Sequence, residues 1–132
     1  MCSQKEEVEK KVIEIIAQAL DRPAAEIRPH DSLMDDLGAE SIDFLDIRFR
    51  IERALKIRFS DEEIWEGSLR ANAPHLIGAE GLTEEGLEWL KKRAPDFAWN
   101  RFPNGVGKAD MPRLITPATI VDFLVRRMKL AG

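Results

Sequence analysis

Apolar residues recur at helical spacing in several separated stretches of the chain, while strand signals are weak throughout. Val8, Val12, Ile15, Ile16, Ala19 and Leu20 keep to one stripe. Ser3, followed three residues later by Glu6, forms a capping box in which each side chain satisfies an amide at a helix start. Together they predict a first helix from about Gln4 to Leu20. Ile47, Ile51 and Leu55 recur every four residues, with Ile42 and Phe44 near the start, and predict a second helix from Ser41 to Lys56. Leu45 and Phe49 form another pair four apart, beside that stripe, and are expected to line a groove.

Between these helices, Pro23, Pro29 and Gly38 interrupt the pattern and predict a long ordered loop. Ile27, Leu33 and Leu37 are its expected anchors, each contributing about 1.5–3 kcal/mol if fully covered. Ser60 with Glu63 repeats the capping box before a short helix through Ile64 and Trp65. Near the end of the chain, Thr116 precedes Pro117, favoured at a first helical position. Ile120, Val121, Leu124, Val125 and Met128 then give an amphipathic last helix.

Residues 66–113 separate these two halves and hold six of the eight glycines. One helix is legible inside them. Thr83 is its cap, and Leu82 and Leu87 are spaced as a hydrophobic staple. Glu84 and Glu85 stand at its positive end, Lys91, Lys92 and Arg93 at its negative end, and Pro95 helps to stop it. Trp89, Phe97, Trp99 and Phe102 gather in the same segment, with Trp65 just before it; such aromatics are expected to form a small subdomain packed over the second and third helices, or else a wall for a bound group. The predicted fold class is all-α.

Composition narrows the function. With 132 residues, 44% of them hydrophobic, the chain builds one core and is expected to be a single domain. No apolar run approaches the roughly 20 residues needed to span a bilayer, and the charged N-terminus has no secretory pattern, so a cytoplasmic protein with a lone thiol at Cys2 is expected. His30 and His75 with that one cysteine offer no zinc ligand set. A net charge of minus 4 disfavours nucleic acid.

Charge also singles out one place. Residues 31–47 carry Asp31, Asp35, Asp36, Glu40, Asp43 and Asp46 with no Lys or Arg, a local charge of minus 6 around Ser41. The macrodipole favours acids near a helix start, which accounts for Glu40 and Asp43 but hardly for six; a patch of this density also steers basic partners. Ser41 lacks the strand and GxSxG elbow of a hydrolase nucleophile, and only His30 is near it in sequence. A calcium loop is excluded because Asp36 stands where its glycine would be. As a purely structural residue, Ser41 is a helix cap worth about 1 kcal/mol.

The residues Asp31-Ser32-Leu33 and then Asp36-Leu37-Gly38-Ala39-Glu40-Ser41-Ile42-Asp43 resemble the acyl carrier protein signature D-S-L, then D-L-G-A-D-S-L-D. Phe59-Ser60-Asp61-Glu62-Glu63 and Leu114-Ile115-Thr116 extend the resemblance. It implies a bundle of three longer helices and one short helix, here with a partly helical insert: a core of 4–65 and 114–130 around an insert of 66–113. It implies 4'-phosphopantetheine, moved from coenzyme A onto Ser41 by a phosphopantetheinyl transferase. The arm then carries acyl groups as thioesters for fatty-acid, lipid or polyketide biosynthesis. Acyl-loading, condensing or acyltransferase enzymes are the implied partners of a monomeric, non-enzymatic carrier. The alternative is an unmodified helical interaction subunit that keeps the fold without the arm.

The chain departs from the family in four ways. Glu40 replaces the usual aspartate. Arg48, Arg50, Arg53, Lys56 and Arg58 oppose only Glu52 where family members are often acidic, which makes either a solvated flank or a different docking face. Leu45 and Phe49 match positions that often line the mouth of the acyl groove, and Phe44 is bulkier than usual there. The largest departure is the 48-residue insert itself.

Overall fold

The structure is a computed structural model that describes residues 4–60, 63–64, 77–78 and 81–131. Cys2, Ser3, Trp65 and His75, and the expectations attached to them, lie outside the described residues. Along the chain run α1 (Gln4–Leu20), a long loop with one 3-10 turn at Ala24–Glu26, and α2 (Ser41–Leu55). Then come β1 (Ile77–Gly78), β2 (Gly81–Leu82), α3 (Glu84–Arg93) and α4 (Pro117–Ala131). Helices dominate, so the all-α expectation holds.

The apolar stripes explain the packing. Val8, Val12, Ile15 and Ile16 of α1, Ile47 and Ile51 of α2, and Ile120, Val121 and Leu124 of α4 share one buried cluster. Ile27, Leu33 and Leu37 join it from the loop, as their spacing between prolines predicts. Phe59 and Ile64 close it after α2, with the Phe59 ring tilted against Phe123 at 5.3 Å. Glu63 and Ile64 are helical, and the Ser60 hydroxyl accepts from the Glu63 amide at 3.3 Å, as the capping box predicts for the short helix.

Both α1 and α2 end on a left-handed residue that is not glycine: Asp21 at φ 54° and Lys56 at φ 57°. Beyond Lys56 the Ile57 amide bonds back to the Glu52 carbonyl at 3.2 Å, and this left-handed turn ends α2 one residue earlier than its apolar pattern predicts.

The insert has a second buried cluster of its own. Phe97, Phe102, Val106 and Met111 form its centre, with Leu82, Leu87, Trp89, Leu90 and Trp99 packed against them. Phe97 lies 4.7 Å from the Trp99 ring, and the Trp99 indole donates to the Ala94 carbonyl at 2.8 Å, so its polar end is satisfied. Thr83 caps α3 as predicted, accepting from the Gly86 amide at 3.1 Å. The short antiparallel pair β1–β2 was not legible, because two residues per strand carry no alternation. Gly81 of β2 also lies close against residues 106–107: at φ +125°, a Cβ there would stand 2.5 Å from the Val106 carbonyl oxygen. Leu114 packs on this second cluster while Ile115 packs on the main one, so the chain passes between them at that peptide bond.

Candidate functional site

Ser41 is the first residue of α2 and is exposed. The loop before it is anchored at several points. The Leu33 amide donates to the Ile115 carbonyl at 3.0 Å, the Ala118 amide donates to Pro29, and the buried Ser32 hydroxyl donates to the Arg113 carbonyl at 2.7 Å. Ala39 then bonds back to Leu33 at 2.8 Å, a reversal in which Gly38 adopts φ +71°. A fixed loop therefore delivers an exposed hydroxyl to a helix start.

The cap itself comes from elsewhere. Glu40 is the N-cap residue, and the Asp43 carboxylate accepts from its amide at 2.8 Å. The reading of Ser41 as the cap is thereby corrected: one position inside the helix, its hydroxyl lies outside the capping bonds. The Ser41 and Ile42 amides have no acceptor among the described residues, as first-turn amides have no helical carbonyl one turn before them. A phosphodiester on Ser41 would meet two free donors and the positive end of a 15-residue helix. The residues present fit such a group.

The acids around the serine are more engaged than their sequence implies. Asp31 accepts from the Arg28 amide at 3.0 Å, and Asp46 pairs with Arg50 at 2.9 Å. Asp36 accepts from the Ser32 amide at 2.8 Å and pairs with Arg101 of the insert. Asp35 pairs with Arg113 at 3.0 Å and lies 3.6 Å from Arg101. The Arg101 hydrogen bond holds the Asp36 carboxyl below its ordinary range against the opposing effect of burial, and Asp36 raises Arg101 in turn.

These contacts place the insert. Its polar contacts among the described residues run to the loop before α2, rather than over α2 as the subdomain reading expects. On the same side, a cavity of about 270 Å³ lies between the insert and the bundle, lined by His30, Trp89, Phe97, Trp99 and Thr116 among others. His30 therefore serves this boundary. Among the described residues no group of three or more His, Cys, Asp or Glu could hold a metal.

Of the residues expected near a groove, Leu45 and Phe49 are exposed, at 41% and 50%, and Ile42 is exposed at 71%. Phe44 turns inward and packs on the main cluster. Arg101 and Arg113 were missed by the sequence reading, which gave them no role at the site. Their partners stand 65 and 78 positions away, and no local pattern reports such a pairing.

An anchored loop thus delivers an exposed serine to a helix start within an all-α bundle. Residues 10–69 match the family model described as a phosphopantetheine attachment site. Over 76 residues the chain is 41% identical to an acyl carrier protein of Clostridium acetobutylicum, an alignment covering 58% of this chain and 96% of that protein. No solved structure matches the chain significantly. The chain belongs to the acyl carrier protein family, whose prosthetic group is a covalently attached 4'-phosphopantetheine. No helix among the described residues is long and apolar enough to cross a membrane.

Proposed function

We propose that Ser41 is the attachment point of the arm, and that the chain carries acyl groups as thioesters on its terminal thiol, as a carrier rather than a catalyst. The observation that carries this is the exposed Ser41 at the first position of α2, left outside the capping bonds by Asp43 and lying within the matched residues. A phosphopantetheinyl transferase supplies the chemistry. The Ser41 hydroxyl loses its proton, its oxygen bonds to the phosphopantetheine phosphorus, and the nucleotide half of coenzyme A leaves. The chain needs exposure and a fixed approach, and both are present.

The reading extends to cytoplasmic fatty-acid, lipid or polyketide assembly, with acyl-loading, condensing or acyltransferase enzymes as partners. Residues 4–65 and 114–130 form the carrier core, and 66–113 form an insert joined to it as one domain. The separate buried clusters support that division, and the Arg101–Asp36 and Arg113–Asp35 pairs support the joining.

Incubation with coenzyme A and a phosphopantetheinyl transferase, followed by intact-mass measurement, tests the proposal. One added phosphopantetheine is expected on wild type and none on Ser41→Ala. An unmodified wild type would leave the chain as a helical interaction subunit with the carrier fold, and modification of Ser41→Ala would move the site.

A further inference from the structure

The cavity of about 270 Å³ between the insert and the bundle has no part in the attachment chemistry. The insert supplies Trp89, Arg93, Phe97 and Trp99 to its lining, α1 supplies Lys5, and the loop before α2 supplies His30. Ala118, at the start of α4, completes it. The walls are held without a ligand. Beside His30, the Pro29 carbonyl accepts from the Ala118 amide at 2.9 Å, and the Trp99 indole is fixed on Ala94 at 2.8 Å. Small-molecule sites are concave, mostly apolar and largely preformed in this way.

The lining selects a flat ligand. The rings of Phe97 and Trp99 lie 4.7 Å apart and are inclined by 60°, and Trp89 is half-buried on the same cavity. Inclined rings offer both a face and an edge to an incoming ring, the two contacts that aromatic groups prefer. An apolar cavity of about 150 Å³ takes one benzene, so this one has room for two fused rings with a small polar group.

The charges select an anion. Lys5, His30 and Arg93 have no carboxylate partner among the described residues. The Arg93 guanidinium lies 4.4 Å from the centre of the Trp89 ring, a contact through its face that uses none of its N–H donors. The acid on the lining, Asp122, pairs with Arg126 at 3.3 Å, and the Thr116 and Thr119 hydroxyls bond each other at 2.9 Å. Unanswered charge at the cavity is therefore positive.

We propose that this cavity is a binding site for a small aromatic carboxylate, its rings among Trp89, Phe97 and Trp99 and its carboxylate toward Lys5, His30 and Arg93. The occupant is a free acid rather than cargo on the arm, because a thioester carbonyl is uncharged and would leave these cations unanswered. Since the lining comes from both the insert and the bundle, an occupant holds the two together. The inference goes beyond the carrier reading and does not rest on Ser41.

Three probes test it on the full chain: naphthoate, its uncharged counterpart naphthylmethanol, and the aliphatic acid octanoate. Binding is followed by amide chemical shifts in wild type, Ser41→Ala, Lys5→Gln/Arg93→Gln and Ala118→Leu. Naphthoate is expected to bind wild type and Ser41→Ala alike, about tenfold more tightly than either other probe, with the largest shifts at residues 30, 89–99 and 114–119. Lys5→Gln/Arg93→Gln should remove the preference for acid over alcohol, and Ala118→Leu, which fills the cavity, should weaken both aromatic probes. Absence of naphthoate binding at millimolar concentration would overturn the proposal, as would equal binding of acid and alcohol by wild type. So would a preference retained in the double variant, octanoate binding as tightly as naphthoate, or shifts confined to Ile42, Leu45 and Phe49. If Ala118→Leu unfolds by circular dichroism, the double variant still decides, since Lys5 and Arg93 are exposed and belong to neither buried cluster. Intact mass after incubation with coenzyme A and the transferase is indifferent to all of these results, so the two readings fail separately.

Discussion

The Arg101 guanidinium of the insert bonds the carboxylate of Asp36, five residues before Ser41. The two residues lie 65 positions apart, so this contact ties the insert to the loop that leads into Ser41. Arg113 reinforces it through Asp35 at 3.0 Å. Six acids around Ser41 are thus not six free charges, and part of the local field is answered from within the chain.

Removing one end of that tie should loosen the insert more than the bundle. Both side chains are a little under a third exposed, so the pair falls near the upper part of the surface range, about 0.5–1 kcal/mol. Arg101→Gln is expected to lower stability by that amount and to speed amide exchange at residues 97–107. The main core, with Leu33 and Leu124 fully covered, should exchange as before. A double-mutant cycle with Asp36→Asn measures the pair, and a coupling near zero would show the contact to be incidental.

The same pair gives a pH dependence with a definite sign. Folding holds the Asp36 carboxyl below its ordinary range, chiefly through the Arg101 hydrogen bond. Its contribution is therefore complete above about pH 4 and is lost as pH falls through the lower folded value. Stability measured downward from pH 5 should decline less steeply in Arg101→Gln than in wild type. Matching slopes would mean that Asp36 owes its shift to something other than Arg101.

The bundle was legible in the sequence because its stripes are long. Val12, Ile16, Ile47, Ile51, Ile120 and Leu124 sit where periodicity places them, and Ile27, Leu33 and Leu37 anchor the loop as their spacing predicts. The family was legible, since Asp31-Ser32-Leu33 and the residues through Asp43 resemble its signature, and so was the place of Ser41 at the start of α2. Its cap was not: Ser41 and Asp43 are both good capping residues, and only the N-cap position, which falls at Glu40 just before Ser41, decides between them. Nor were β1–β2 and the Arg101–Asp36 tie, which depend on how the insert folds back and leave no local periodicity.

Gly81 tests that folding back directly. Its backbone is left-handed at φ +125°, and a Cβ would overlap the Val106 carbonyl and the Gly107 backbone. Gly81→Ala is expected to cost about 1–3 kcal/mol and to expose the aromatics packed around Phe97 and Phe102. Tryptophan fluorescence should report the change, because Trp89 and Trp99 pack against that cluster. Unaltered emission and unaltered melting would mean that the β2 contact with residues 106–107 contributes nothing to the insert.

Ser41 and Asp43 stand two positions apart, and their roles should separate cleanly. The Asp43 carboxylate closes the start of α2 through the Glu40 amide, so Asp43→Ala should destabilise the chain by about 1 kcal/mol. Its Ser41 hydroxyl remains exposed, and modification should be slowed but retained. Ser41→Ala removes a hydroxyl that makes no capping bond, so its melting should stay within about 0.5 kcal/mol of wild type while modification disappears. Thermal unfolding and intact mass, taken together on both variants, distinguish an attachment point from a structural cap. If Ser41→Ala melts as badly as Asp43→Ala, the hydroxyl has a structural partner, and its place outside the capping bonds no longer explains why a serine stands there.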